Sequence, residues 1–149
     1  MELENWMTIA LSLAQSASKN QEVPVGALII KEGQIISTGV NNRESTKDPC
    51  GHAEVIALRN ASKALNRWRL SDCTLITTLE PCVMCAGAIC MARVSRVVYG
   101  AKDPKGGAYG SIFSIHSDKR LNHNVDVTAG VMHLQCSSLL KEFFAARRK

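Results

Sequence analysis

The chain has 149 residues, a mass of 16.2 kDa and a formal net charge of +5, with 46% hydrophobic and 21% charged residues. This composition excludes a collagenous or intrinsically disordered chain, and no apolar run approaches the roughly 18 residues of a membrane span. Since a chain of this length buries roughly 70% of its surface on folding, we predict one domain, residues 1–149, with no need of disulfides or a structural metal.

The periodicity of apolar residues predicts alternating helices and strands. An amphipathic helix is predicted over the first twenty residues, and a hairpin and further elements follow: strands over 25–30, 34–38, 73–78, 96–99 and 125–128, and helices over 52–65, 81–92 and 133–146. Pro81 is predicted at the first helical position, where its missing N–H is not needed. Residues 39–51 are predicted to be a polar loop and residues 100–111 a mobile glycine-containing loop. After the hairpin, the alternation favours parallel pairing through crossover helices, and hence a three-layer α/β/α sandwich around a mixed sheet of about five strands.

The N-terminus and the cysteines both bear on the compartment. The sequence begins Met-Glu-Leu-Glu, with acid where a secretory signal needs base, so we expect a cytoplasmic protein. Six cysteines in a reducing compartment indicate metal or redox chemistry rather than disulfides. Cys82 and Cys85 form a Cys-x-x-Cys pair, and the other four are expected to be small buried hydrophobic residues.

Positive charge is concentrated in the second part of the chain. Residues 1–58 hold four Lys/Arg and seven Asp/Glu, whereas residues 59–149 hold 14 and six, which gives net charges of −3 and +8. Such an excess is typical of a solvated surface or of one that binds an acidic partner such as nucleic acid.

Two short motifs predict a metal site. His-Ala-Glu at 52–54 begins one predicted helix, and Pro-Cys-Val-Met-Cys at 81–85 begins another. Because two strand-to-helix turns of an α/β unit end at the same edge of the sheet, His52, Cys82 and Cys85 can meet there. Three soft-to-borderline protein ligands are typical of a catalytic zinc, whose fourth position holds a water.

Glu54 is the residue that predicts the reaction. Two positions beyond His52 it points elsewhere, so it is better placed to accept a proton from the water than to bind metal. A carboxylate there can relay that proton to a ring nitrogen and later to a leaving amine, which is hydrolytic deamination. Two alternatives stay open at this point: a redox dithiol at Cys82 and Cys85, and a structural zinc with Cys50 or Cys90 as a fourth ligand.

These residues resemble the signature of the cytidine and deoxycytidylate deaminase superfamily, His-x-Glu followed by Pro-Cys-x-x-Cys. The chain is most similar to its bacterial tRNA-specific adenosine deaminases, through Glu22–Ala27, Asp48-Pro49, Trp68–Leu70, Thr78–Ala88, Arg96–Ala101 and Phe143-Phe144. The resemblance implies a cytidine deaminase-like fold and one zinc ion per subunit. It also implies conversion of adenosine to inosine at the wobble position (34) of a tRNA anticodon, by attack of zinc-activated hydroxide on C6 with Glu54 as proton shuttle.

The resemblance further implies partners and substrate contacts. The partners are a tRNA anticodon stem-loop and a second copy of the chain in a homodimer, with no membrane. The implied contacts are Asn41, Ala53, Val25 and Leu79 around the flipped adenosine, Asp103 and Lys105 at the flanking nucleotides, and Phe143, Phe144 and Arg147 on the last helix. The alternatives are a zinc deaminase of a free nucleobase or nucleoside (guanine or cytosine), and a non-catalytic zinc module that binds RNA.

Overall fold

A computed structural model of the chain describes residues 2–147. In chain order its elements are α1 (Leu3–Lys19), β1 (Gly26–Lys31), β2 (Gln34–Val40), α2 (Arg43–Thr46), α3 (Ala53–Leu65), β3 (Thr74–Leu79), α4 (Val83–Ala92), β4 (Arg96–Ala101), a 3₁₀ turn (Ile115–Ser117), β5 (Asp126–Thr128) and α5 (His133–Arg147). None of the helices in this part of the chain is long and apolar enough to cross a membrane.

The sheet is mixed and has the strand order β2-β1-β3-β4-β5. β1 is antiparallel to both neighbours, whereas β3, β4 and β5 pair in parallel. A two-residue turn at Glu32 and Gly33, both with positive φ, closes the β1–β2 hairpin, which is the geometry that matches the twist of paired strands. Because β1 alone runs opposite to the other four, the carboxyl ends of β2, β3 and β4 lie at one edge of the sheet.

Side chains from the two faces of the sheet form separate apolar layers. On one face Leu28 and Ile30 of β1 pack with α1 and α5, and on the other face Ala27 and Ile29 pack with α3 and α4. The alternation along β1 is the two-residue period of a strand covered on both faces. The structure thus confirms the predicted three-layer α/β/α sandwich around five strands.

Gly39 of β2 sets the distance between the sheet and α3. A Cβ at this position would lie 2.2 Å from the carbonyl oxygen of Ala53 and 2.7 Å from the backbone nitrogen of Ala57. The first turn of α3 therefore rests directly on the β2 backbone, which fixes where His52, the residue before that helix, enters the sheet edge.

Three predicted boundaries differ from the structure. The predicted polar loop 39–51 contains the last residues of β2 and the short helix α2, and β4 continues through Ala101 into the predicted glycine loop. Pro81 precedes the N-cap residue Cys82 instead of occupying the first helical position. The reason is that the Pro81 carbonyl accepts a bond from the Ala108 N–H (2.8 Å), which keeps the chain extended for one more residue.

Candidate active site

A cleft of about 950 Å³ opens at the edge of the sheet where β2, β3 and β4 end. Its walls come from the segments that follow these strands, from the segment before β1 and from α5. Sites of α/β folds form at this edge because the loops that follow parallel strands converge there.

Two helix starts bring the predicted metal ligands together. His52 is the N-cap residue of α3, Cys82 is the N-cap residue of α4, and Cys85 lies in the first turn of α4. The donor atoms of these three side chains lie within 4.8 Å of one another, and they form the metal-binding group found among residues 2–147. The Nδ1 atom of His52 lies 3.5 Å from the Cys82 Sγ and 3.4 Å from the Cys85 Sγ.

These distances fit zinc. With zinc–sulfur and zinc–nitrogen bonds of about 2.3 and 2.0 Å at a tetrahedral angle, the sulfur and nitrogen atoms would lie about 3.5 Å apart. One imidazole and two thiol groups are also a donor set that suits this metal. Three donors, with no fourth from the described part of the chain, leave one tetrahedral position open, as in catalytic zinc sites.

The protonation of the two thiols favours metal binding. The hydrogen bond from the Cys85 thiol lowers the pKa of Cys82 to about 4, and the same contact, together with burial, raises the pKa of Cys85. The hydrogen bond to Cys82 also raises the pKa of His52, against the effect of burial. One thiolate is therefore already present at neutral pH, and a bound cation would favour loss of the second proton.

Glu54 lies beside these ligands but outside the donor group. Its side chain is buried, and burial raises its pKa to about 7, while its neighbour His52 acts in the opposite direction. Glu54 lies in the first turn of α3, two residues after His52, and its carboxyl group contacts the Cys85 thiol. A carboxyl group in this setting can both accept and release a proton near neutral pH.

The structure places the residues predicted around the adenosine close to one another. Val25, Leu79 and Asn41 line the cleft together with His52 and Glu54. Val25 and Asn41 are buried, and the Asn41 Oδ1 accepts the Ala53 N–H at 2.8 Å. The predicted contacts Asn41 and Ala53 are therefore neighbours, and the Ala53 N–H already has a partner.

The predicted flanking-nucleotide residues come from the segment after β4. Asp103 and Lys105 follow β4 and line the cavity. The Asp103 Oδ1 accepts the backbone N–H groups of Lys105 and Gly106 (both 3.1 Å), which folds the segment into a tight turn. Lys105 itself is exposed to solvent.

The α5 residues divide into two kinds. Phe144 is 44% exposed and lines the cleft, whereas Phe143 is buried and its ring meets that of Phe144 edge-on at 5.4 Å. Arg147 stacks on the Phe143 ring at 4.7 Å, and its Nη2 donates to the Gln21 carbonyl (2.8 Å). Phe143 thus belongs to the supporting layer, and Arg147 joins α5 to the end of α1 at the mouth of the cleft.

Several cleft residues were not assigned by sequence reasoning. Arg43, Lys102 and Lys141 add exposed cations to the rim, and the buried carboxylates of Glu22 and Glu80 also line the cavity. Lys102 directly follows the Arg96–Ala101 stretch. Glu22 and Glu80 lie inside Glu22–Ala27 and Thr78–Ala88, two of the stretches that carry the family resemblance. Their place in or next to these stretches was the sequence signal that could have identified them, although composition alone predicts no role for them.

The remaining cysteines do not extend the metal group. Cys73 and Cys136 are buried, as predicted, and Cys90 is partly buried. Cys50 is exposed, so its prediction as a buried residue is wrong: it lies in the turn between α2 and α3, where Asp48 accepts its backbone N–H. Neither Cys50 nor Cys90 joins the three donors, which removes the support for a four-ligand structural zinc.

Comparisons with known proteins agree with this geometry. The family model for the cytidine and deoxycytidylate deaminase zinc-binding region matches residues 1–101. Two tRNA-specific adenosine deaminases, from Haemophilus influenzae and Bacillus subtilis, are 46% and 42% identical to the chain; each alignment covers 98% of this chain, and 85% and 91% of the relative.

Two solved structures share the fold of this chain. A structure from studies of A-to-I editing by tRNA:A34 deaminases at the wobble position of transfer RNA superposes with a TM-score of 0.88 at 40% identity, covering 91% of this chain and 99% of that one. A guanine deaminase from Bacillus subtilis superposes with a TM-score of 0.68 at 34% identity, covering 100% and 96%.

Proposed function

The chain belongs to the cytidine and deoxycytidylate deaminase family, and we propose that it is a zinc-dependent enzyme that converts adenosine to inosine at the wobble position of a tRNA anticodon. The observation that carries the proposal is the identity of 42–46% with tRNA-specific adenosine deaminases over 98% of the chain. The fold and the three metal donors support the same assignment.

His52, Cys82 and Cys85 would hold the zinc ion. When bound, zinc supplies the Lewis acidity that lowers the pKa of water toward ~7, so that hydroxide is available at neutral pH. The two helix starts contribute the positive ends of their dipoles, which favour the thiolate forms of the ligands.

Glu54 would be the catalytic residue. Its carboxylate accepts a proton from the attacking water and delivers it to N1 of adenine as the C6–O bond forms. A second proton passes from the added hydroxyl group to the departing amine, so that the C6–N bond breaks and ammonia leaves. Glu54 is suited to these transfers because it lies beside the metal ligands without belonging to them.

The flipped adenosine would occupy the inner part of the cleft. Val25 and Leu79 offer apolar surface to the base. Asn41 follows β2 and lies beside the first residue of α3, where its Oδ1 accepts the Ala53 N–H. An anticodon loop is already partly unstacked, so extruding one base from it takes only a few kcal/mol.

The outer part of the cleft would bind the RNA backbone. Exposed cations line its rim: Arg43, Lys102, Lys105, Lys141 and Arg147. A single nucleobase needs no such rim, whereas the phosphates of an anticodon stem-loop do. This rim is the feature that favours the RNA substrate over the alternative substrate, a free guanine or cytosine base or a nucleoside.

We also propose that the chain forms a homodimer through the outer face of α4. This helix contains no charged residue, and Val83 and Met91, eight positions apart, are 49% and 72% exposed. Ile112 and Phe113 are also about half exposed, and both donate their backbone N–H groups to Gly107, which is bridged to Cys82 at the start of α4. An exposed apolar patch of this kind is typical of a protein interface.

The proposed location is the cytoplasm. The proposed substrate is a tRNA, and all six cysteines are free thiols, which is what a reducing compartment maintains.

A panel of tRNA transcripts tests the proposed function, with inosine at the first anticodon position as the readout. We expect inosine with the zinc-loaded protein, and a rate lowered at least about 10²–10⁴-fold by Glu54→Ala, with zinc content and tRNA affinity retained. Release of ammonia from free guanine, cytosine or a nucleoside, with no inosine in any tRNA, would instead establish the alternative. An unchanged rate in Glu54→Ala would reject the proton shuttle.

A further inference from the structure

Glu80 is a buried carboxylate with no role in the proposed chemistry. It follows β3, is 1% exposed and lies outside the metal-binding group. Its Oε1 accepts the backbone N–H of Asp103 at 3.0 Å, and its Oε2 accepts those of Tyr109 and Ser111 at 2.9 and 3.1 Å. The Ser111 hydroxyl donates a fourth hydrogen bond.

These four hydrogen bonds join the Glu80 carboxylate to one stretch of the chain. All four donors come from one segment, residues 103–111, which we call the recognition loop. The loop is therefore folded around the Glu80 side chain.

The recognition loop is also joined to the backbone next to Glu80. The Ala108 N–H donates to the Pro81 carbonyl at 2.8 Å, and Gly107 forms an antiparallel bridge with Cys82. A Cβ at residue 107 would overlap both carboxylate oxygens of Glu80, so a larger residue there would displace the carboxylate from its present position. The metal ligand Cys82 and the recognition loop thus share one turn, Glu80-Pro81-Cys82.

We propose that Glu80 is a positioning residue: it fixes the recognition loop, and with it Asp103 and Lys105, against the metal-binding turn, so that the nucleotides flanking the target base are held in register with Glu54. The assignment of Lys105 to RNA contact rests on the proposed function. The attachment of the loop by Glu80 rests on the hydrogen bonds alone.

The experiment is a double-mutant cycle between Glu80→Gln and Lys105→Ala on an anticodon stem-loop. Glutamine keeps the size of the side chain but removes the charge and turns an amide group toward N–H donors. We expect Glu80→Gln to raise KM about tenfold, with kcat changed less than about threefold, because the lost contacts serve binding more than chemistry. In the Lys105→Ala background the same change should raise KM less than about twofold, because the contact that Glu80 positions is already absent.

Ser111→Ala provides a milder variant if Glu80→Gln fails to fold. It removes one of the four hydrogen bonds and is expected to raise KM about threefold, again only when Lys105 is present.

The matched control is Glu22→Gln. Glu22 is likewise a buried cleft carboxylate, but its partners are the N–H groups of Glu44 and Ser45 in α2 and not those of the recognition loop, so its effect should add to that of Lys105→Ala.

A second measurement separates this inference from the proposed function. NMR-detected hydrogen exchange of the zinc-loaded protein without RNA should show protected amides at Asp103, Tyr109 and Ser111 that lose protection in Glu80→Gln. Unchanged protection would overturn the inference whatever the substrate, and so would additive effects in the cycle with an enzyme that forms inosine. Loss of protection together with no inosine from the wild-type protein would overturn the proposed function alone.

Discussion

Replacing Gly39 by alanine tests how the sheet positions the metal site. The new Cβ would lie 2.2 Å from the Ala53 carbonyl oxygen, and real Cβ atoms almost never approach another heavy atom within 3.0 Å. The first turn of α3 must therefore move by about 0.8 Å, and the backbone nitrogen of Ala57, at 2.7 Å, limits movement along the helix. Because both partners are backbone atoms of regular elements, we expect a destabilisation near ~3 kcal/mol, the upper end of the usual range for overpacking.

The same movement reaches the metal ligands. His52 directly precedes α3, and metal–ligand distances tolerate changes of only about 0.2 Å, so a shift of this size should weaken zinc binding as well as the fold. For a chain of this length ~3 kcal/mol corresponds to a fall in Tm of about 6–12 °C. Calorimetry and zinc analysis after dialysis would measure the two effects on one sample.

Gly87→Ala is the matched control. A Cβ there would meet nothing within 4 Å, and the position lies inside α4, where alanine is preferred over glycine by about 1 kcal/mol. Gly87 lies between Val83 and Met91 on the face of α4 proposed to form the dimer, so this control is compared by zinc content, which should equal that of the wild type. A Gly39→Ala protein with wild-type Tm and zinc content would show that the contact with β2 does not fix the start of α3.

Three further predictions concern charge and assembly. Affinity for the anticodon stem-loop should fall steeply with added salt, and Lys105→Ala should reduce the log–log slope by about one; a flat salt response would argue against phosphate contacts. Because the pKa of Glu80 lies below its ordinary value of about 4.5, the stability it contributes is present at neutral pH and lost as the pH falls below that value through the folded pKa. The difference in urea midpoint between wild type and Glu80→Gln should narrow in that range, and a constant difference from pH 7 to pH 3 would contradict the reasoning. Met91→Glu should convert a dimer into a monomer in light scattering at micromolar concentration, and a wild-type monomer would exclude the α4 interface.

The three metal ligands could be predicted because short motifs in the sequence identify them. His52, Cys82 and Cys85 lie at helix starts that the sequence marks, and the chain order of strands and helices places both starts at one sheet edge. The central strands were predictable for a similar reason, since short continuous runs rich in apolar and β-branched residues are typical of strands buried on both faces. The hairpin turn at 32–33 was also visible, but the pairing of β1 with β3 is decided by tertiary packing.

The positions that sequence reasoning missed depend on contacts between distant segments. Glu80 binds amides 23 to 31 residues further along the chain, and the backbone contact of Gly39 with Ala53 crosses 14 residues. Arg43 comes from the acidic part of the sequence yet lies at the same cleft as Lys105 and Arg147, so dividing the charge at residue 58 did not describe the rim. The fold brings these groups together, and no periodic pattern in the sequence indicates that they are neighbours.

The turn Glu80-Pro81-Cys82 explains why the metal site and the recognition loop form one unit. Within three consecutive residues, a side chain holds the loop amides, a carbonyl accepts the Ala108 N–H, and a thiol is one of the three donors placed to hold a metal ion. A change in this turn is therefore expected to alter zinc occupancy and RNA contacts together. A change on α5, which meets the cleft through Phe144 and Arg147 and contributes no metal ligand, should alter RNA contacts alone. We therefore expect changes on α5 to separate recognition from chemistry, and changes in the Glu80-Pro81-Cys82 turn to affect both.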